Sequence, residues 1–184
     1  LIIRTPVGGY IHGGLCHSQS IDGYFIHMPG IYLAYPSNAS DAKGLLKMAC
    51  RMNDPVLFME HKGLYRQGYA ATEEPDEDYV IPFGKGRIVS DGDILTVITW
   101  GAMVQKTIEA VKSLSLEKGL VEIIDLRTLN PLDINIINLG IPDEIISNFN
   151  IDNYILIEFK VELLLFEIMD LIYFVQFRMV SARI

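Results

Sequence analysis

Ile31-Tyr32-Leu33-Ala34-Tyr35-Pro36-Ser37-Asn38-Ala39-Ser40-Asp41, followed downstream by Asn53-Asp54-Pro55-Val56-Leu57-Phe58-Met59-Glu60, decides the fold. The run from Ile31 to Tyr35 is short, apolar and closed by proline, the pattern of a buried strand. Ser37 to Asp41 then offers side-chain oxygens that accept from the free N–H groups of a helix's first turn, so the sequence predicts a helix over residues 41–52. Its apolar Ala42, Leu45, Leu46, Ala49 and Cys50 recur at helical spacing. Asn53-Asp54-Pro55 ends that helix, and Val56 to Glu60 reads as a second strand. A strand, a capped helix and a strand make a βαβ unit, which requires a parallel pair with a right-handed crossover.

Upstream of this unit, Leu1-Ile2-Ile3 reads as a strand entering a glycine-rich loop, Gly8-Gly9-Tyr10-Ile11-His12-Gly13-Gly14. Residues 19–27 form a short helix or turn stopped by Met28-Pro29-Gly30. The chain opens on Leu1 inside a strand, with no Met, and sequence upstream of it is expected.

Downstream, Glu73-Glu74-Pro75-Asp76-Glu77-Asp78 is a charge run of the kind found in solvated linkers, and it sets a domain boundary between residues 1–78 and 79–184. In the second part, Gly86-Arg87-Ile88-Val89 and Leu95-Thr96-Val97-Ile98-Thr99-Trp100 flank Ser90-Asp91-Gly92-Asp93, an Asp-Gly turn that predicts a hairpin. A helix over residues 104–114, a strand over 121–125 and a turn with a short helix from Asn130-Pro131 follow. Further on come a strand over 154–158, an amphipathic helix over 162–174 and a last strand within 178–182. Strands alternating with helices give an α/β fold of mainly parallel sheets flanked by helices.

Composition narrows the function classes. Of 184 residues half are apolar, and the net charge is −8, an acidic surface that repels phosphate backbones and argues against a nucleic-acid partner. The apolar stretch from Val161 to Phe177 carries Glu162, Glu167 and Asp170, which opposes membrane insertion. Two cysteines, Cys16 and Cys50, are too few for a disulfide framework and are expected as buried or half-buried free thiols.

The stretch richest in chemistry is Gly13-Gly14-Leu15-Cys16-His17-Ser18-Gln19-Ser20, an imidazole beside a hydroxyl and an amide in a glycine-flanked loop. An imidazole gives and takes protons near neutral pH. A lone histidine in such a loop is more often a structural or solvated residue. No Asp or Glu lies close in sequence to orient it, so a Ser-His-Asp hydrolase is not supported. His12 is a second candidate contact, and His27 and His61 form no cluster with metal spacing.

Arg4-Thr5-Pro6-Val7-Gly8-Gly9, His12-Gly13-Gly14 and His17-Ser18-Gln19-Ser20 resemble the β subunits of branched-chain 2-oxo acid and pyruvate dehydrogenases. His27-Met28-Pro29-Gly30-Ile31, Pro36-Ser37-Asn38, Asp41-Ala42-Lys43-Gly44-Leu45-Leu46 and Asp54-Pro55-Val56-Leu57-Phe58-Met59-Glu60 follow in that family's order. So do Leu64-Tyr65-Arg66, Thr99-Trp100-Gly101 and Ile124-Asp125-Leu126-Arg127-Thr128-Leu129. The likeness covers nearly all of residues 1–160, and it is closer to the branched-chain (2-oxoisovalerate) type.

This resemblance implies part of a thiamine-diphosphate pyrimidine-binding domain followed by a transketolase C-terminal-like domain, incomplete at its end. It implies the decarboxylating first (E1) component of a 2-oxo acid dehydrogenase complex, which passes an acyl group to lipoamide on the second (E2) component. The partners it implies are an E1 α subunit or α region, a second β copy in an α2β2-type assembly, the E2 acyltransferase and a 2-oxo acid. The cofactors are thiamine diphosphate, with Mg2+ held mainly by the α part, and K+. The family's histidine maps onto His17, where it would contact the intermediate and serve proton transfer or acyl handover. Its activating glutamate belongs upstream of Leu1; Glu60 and Glu158 do not match that motif, so this piece is expected to be inert alone. A K+ site of mostly backbone carbonyls maps onto Leu1, Ile2, Ala49, Met52 and Asp54, where the bland reading is a helix end meeting water. A bacterial cytoplasm is expected, or the mitochondrial matrix in a eukaryote.

After Glu158 the sequence departs from the family: Phe159-Lys160-Val161-Glu162 stands where an acidic or His-Glu pair and a glycine turn belong. Two other readings share the fold. One is a transketolase or deoxyxylulose-phosphate synthase relative, against which the His-Ser-Gln and Leu-Tyr-Arg stretches argue. The other is a non-catalytic assembly module.

Overall fold

The computed structural model describes residues 1–113, 119–139 and 179–180. The βαβ unit is present as read: β2 (Tyr32–Ala34), α3 (Ala39–Ala49) and β3 (Val56–His61), with β2 and β3 parallel. The helix starts two residues earlier than its sequence suggests because Asn38 is the cap, its side-chain oxygen accepting from the Asp41 N–H at 2.9 Å. Upstream, β1 (Ile2–Val7) pairs with β3 in parallel, Val7 opposite His61. The segment between β1 and β2 carries two one-turn helices, α1 (Gly14–His17) and α2 (Asp22–Phe25). The second lies within the expected 19–27 helix; the first replaces part of what reads as open loop.

The second sheet holds β4 (Arg87–Ser90), β5 (Leu95–Thr99), β6 (Val121–Asp125) and β8 (Met179–Val180), in the order β4-β6-β5-β8. The hairpin expected between β4 and β5 is not formed. Instead β6 lies between them, parallel to β5 and antiparallel to β4. The Asp-Gly turn closes onto β6: the Asp93 N–H donates to Gly119 O at 3.0 Å, and a β-carbon on Gly92 would lie 2.2 Å from the Val121 carbonyl carbon. The turn is tight, but its flanking strands take a later partner.

Helix α4 (Ala102–Ser113) follows β5; β7 (Thr128–Asn130) and α5 (Ile134–Leu139) follow β6. Strand β7 does not stay with the second sheet. It pairs antiparallel with β2 and completes the first sheet in the order β1-β3-β2-β7. Each sheet is therefore parallel at its centre with antiparallel strands at an edge, an α/β fold of the expected class. The strand expected over 154–158 and the helix over 162–174 lie outside the described residues; of the last strand, Met179–Val180 pairs with β5.

Burial explains why the central strands read as continuous apolar runs. On β3, Leu57 and Met59 face a core shared by both sheets (Val7, Leu33, Ile124, Leu126, Leu129), whereas Phe58 faces Leu45 of α3 and Ile81. Both faces of β3 are covered, so alternation of apolar with polar residues is lost. Val97, Val121 and Ile123 make a third core with Ile108 and Val111 of α4. The acidic run is exposed as expected but tethered. Lys43 Nζ donates to Glu74 at 2.9 Å and to Pro75 O at 2.7 Å, and the Ile81 N–H donates to Gly44 O at 3.1 Å. Cys16 and Cys50 are free but exposed, not buried: one lies on a surface helix that buries no residue, the other caps α3.

Candidate active site

Ligands of parallel α/β sheets bind beyond the carboxyl ends of the strands. At that end of β1 and β3 the chain presents the His17 loop and the His61-Lys62-Gly63 turn side by side. Gly8 leaves β1 with φ +86°, and its N–H donates to Gln19 O at 2.9 Å, closing the loop on itself. Within the loop the Gly13 N–H donates to Ser18 Oγ at 2.7 Å. A β-carbon on Gly13 would lie 2.5 Å from His17 Cβ, so the glycine is what lets α1 fold back this tightly. His17 is exposed, and among the described residues no hydrogen bond reaches its imidazole. Its backbone carbonyl accepts from Lys62 Nζ.

The opposite bank begins at His61, whose Nδ1 accepts from the Gly63 N–H at 3.0 Å and so caps the 3-10 turn Lys62–Leu64. Burial, and then the charge of Lys62, push the His61 pKa down and so favour the neutral ring, whose proton sits on Nε2 because Nδ1 accepts from Gly63. Gln67 Nε2 donates to Tyr10 Oη at 3.1 Å, adding a second tie between the banks. The far side of the loop is anchored on the second sheet: Trp100 Nε1 donates to Asp22 at 3.1 Å. His12 is exposed in the same loop at φ +53°, and its N–H donates to Gly9 O at 3.2 Å.

Glu60, at the end of β3, is not available as a free carboxylate. Arg4 grips it with two bonds, at 2.5 and 3.0 Å, and the Tyr65 hydroxyl donates to it at 2.5 Å. Burial raises the Glu60 pKa, but these hydrogen bonds and the Arg4 charge outweigh it and hold the carboxyl below its ordinary range. Burial, and then Glu60 itself, push the Tyr65 phenol up to about 12.

A buried polar cluster, which the sequence reading missed, sits beyond β2. Ser37 Oγ donates to Asp125 at 2.5 Å, Asn38 Nδ2 donates to Asp41 at 2.7 Å, and Arg87 lies 3.4 Å from Asp125 and 3.5 Å from Asp41. Arg127 pairs with Asp41 Oδ1 at 2.9 Å in an alignment that makes no hydrogen bond, so among the described residues that oxygen and the Nε of both arginines have no hydrogen-bond partner. Burial, and the neighbouring Asp41 charge against the Ser37 bond, push the Asp125 carboxyl up to about 6. Asp125 and Arg127 standing amid apolar Ile123, Ile124 and Leu126 are the signal that could have found this cluster.

The residues expected at a K+ site lie at the other end of the first sheet. Leu1 O accepts from the Val56 N–H at 2.8 Å, which brings the start of β1 beside Asp54-Pro55, and Ala49 O accepts from the Met52 N–H at 3.1 Å. Each of these two carbonyls keeps a second lone pair. Among the described residues no group of three His, Cys, Asp or Glu could hold a metal ion. No described helix is long and apolar enough to cross a membrane.

Residues 1–67 match the transketolase pyrimidine-binding domain, and residues 84–142 match the transketolase C-terminal domain. Across 133 residues the chain is 45% identical to the 2-oxoisovalerate dehydrogenase subunit beta of Bacillus subtilis, covering 72% of this chain and 40% of that protein. The chain belongs to the transketolase-like E1 β family of 2-oxo acid dehydrogenases.

Another member of this thiamine-diphosphate-dependent E1 β family, the pyruvate dehydrogenase E1 component subunit beta of the same organism, is 44% identical over 135 residues, 73% of this chain and 41% of that protein. The chain thus spans about two-fifths of the length of these relatives. Its fold also superposes on a split-gene transketolase, an inactive beta4 tetramer, with a TM-score of 0.57 and 22% identity, covering 76% of this chain and 43% of that one.

Proposed function

We propose that this chain supplies the β part of the decarboxylating E1 component of a 2-oxo acid dehydrogenase, with His17 as its catalytic residue. The observation that carries this is the His17 loop, held at the carboxyl ends of β1 and β3 with its imidazole open to solvent. Thiamine diphosphate, when bound, supplies the electron sink that lets a 2-oxo acid lose carbon dioxide. The chain's own task is then at His17: an exposed imidazole, free of protein hydrogen bonds among the described residues, is able to hold or move a proton for a substrate oxygen or for the incoming acyl acceptor.

The cofactor also needs a carboxylate against its aminopyrimidine. Glu60 does not fit that duty, because Arg4 and Tyr65 occupy both its oxygens. Activity therefore requires residues beyond those of this chain, including an α partner that holds the diphosphate and Mg2+, and the chain alone turns over neither acid. A second β copy completes the assembly, and the lipoyl-bearing E2 component takes the acyl group. The carbonyls of Leu1, Ile2, Ala49 and Met52 with Asp54 form the K+ site. The compartment is the bacterial cytoplasm.

Branched-chain 2-oxo acids are the proposed substrates, from overall likeness; the two B. subtilis relatives stand one percentage point apart, at 45% and 44%. The test is dye-linked oxidation by the α-containing assembly, with thiamine diphosphate and Mg2+, of 2-oxoisovalerate and of pyruvate. Cofactor-dependent turnover that favours 2-oxoisovalerate is expected. Turnover of neither acid, together with absent cofactor binding, would overturn the reading.

A further inference from the structure

We propose that Lys62 is a positioning residue for His17, holding the catalytic helix by its last carbonyl; this rests on the role of His17 given above. Helix α1 has four residues and buries none of them, so neither helix propagation nor packing fixes it in place. The His17 imidazole has no orienting hydrogen bond among the described residues. Its placement must come from the backbone beneath it.

That backbone is held at three points. The Gly8 N–H to Gln19 O bond, at 2.9 Å, closes the base of the loop. The Gly13 N–H to Ser18 Oγ bond, at 2.7 Å, closes the turn itself. Both lie within the loop, so they fix its shape, and the Gln67–Tyr10 and Trp100–Asp22 bonds that orient the loop reach residues outside α1. The Lys62 ammonium bonded to His17 O is the contact that ties the histidine's own peptide unit to another element.

Lys62 can serve as a fixed post because its own backbone is rigid. It begins a 3-10 turn directly after β3, capped by His61 Nδ1, and the His61 ring is wedged over Gly8. A cation also suits this place electrostatically, since the last carbonyls of a helical turn have no partner within it. A single exposed lysine hydrogen bond is a small contribution, because water competes for both of its partners. A bond of that size matters little to folding, yet a displacement of about 1 Å at a reacting group costs up to about a hundredfold in rate.

The test uses the α-containing assembly and follows reductive acylation of a lipoyl domain from 2-oxoisovalerate, in Lys62→Met, Lys62→Arg and His17→Ala. Lys62→Met should lower kcat about tenfold while KM for the 2-oxo acid and the melting temperature stay unchanged. Lys62→Arg, which can still reach a backbone carbonyl, should recover most of the rate. A Lys62→Met enzyme at full rate beside an impaired His17→Ala would overturn the positioning role and leave the function intact. A rate lost only together with melting temperature would overturn it as well, showing a merely structural lysine. Full activity in His17→Ala would overturn the reading of the site itself.

Discussion

Gly8 and His61 compete for one space: a β-carbon on Gly8 would lie 2.1 Å from His61 Nε2. The two residues follow from the register of β1 on β3, which sets Val7 opposite His61 and carries Gly8 one step beyond, under the imidazole. Because His61 caps the turn that presents Lys62, and Gly8 opens the loop that presents His17, this contact joins the two banks of the candidate site.

Gly8→Ala should therefore cost at least about 2 kcal/mol, since it combines a left-handed backbone (about 1–2 kcal/mol) with overpacking (about 1–3 kcal/mol). Denaturant unfolding measures this. In the double variant Gly8→Ala/His61→Ala the overpacking is relieved and the backbone strain stays, so the two costs should fall short of their sum.

The same imidazole makes stability depend on pH. Burial and the Lys62 charge depress the folded pKa of His61 below its ordinary value of 6.5, so below that pH the unfolded chain binds more protons. Its contribution is complete above about pH 6.5 and is lost as pH falls toward the folded pKa. Urea midpoints of the wild type and His61→Asn, compared at pH 7.5 and 5.5, should converge at the lower pH.

Asp125 acts with the opposite sign. Its folded pKa stands at about 6 against an ordinary 3.8, so the folded chain holds the extra proton in between, and stability is lost as pH rises through that window. At about 1.36 kcal/mol per pH unit the loss is on the order of 3 kcal/mol. Asp125→Asn, which cannot titrate, should lack this slope; the difference between wild type and variant across pH 4 to 7 checks it.

The βαβ unit was legible because its signals are local: a proline-closed apolar run, an Asn cap three residues before the N–H it accepts from, and an Asn-Asp-Pro break. The β4–β5 hairpin misled because an Asp-Gly turn looks the same whether its strands pair with each other or admit β6 between them. Strand β7 is three residues long and ends at a proline, too short for periodicity to reveal which sheet receives it. His17 could be singled out by its neighbours in sequence. Lys62, 45 residues away, and the Ser37–Asp125 bond across 88 residues could not, because nothing in a single sequence reports which distant polar groups meet. The exposure of both cysteines was missed for a related reason: composition says that thiols tend to be buried, and only the placement of α1 and the end of α3 shows these are not.

The account stands or falls on His17. Reductive acylation of a lipoyl domain by the α-containing assembly, compared between wild type and His17→Ala at saturating thiamine diphosphate and 2-oxoisovalerate, tests it most directly. The account predicts a loss of at least about a hundredfold in rate, the scale of a proton-transfer group, with cofactor binding retained. Acylation at the wild-type rate would contradict it.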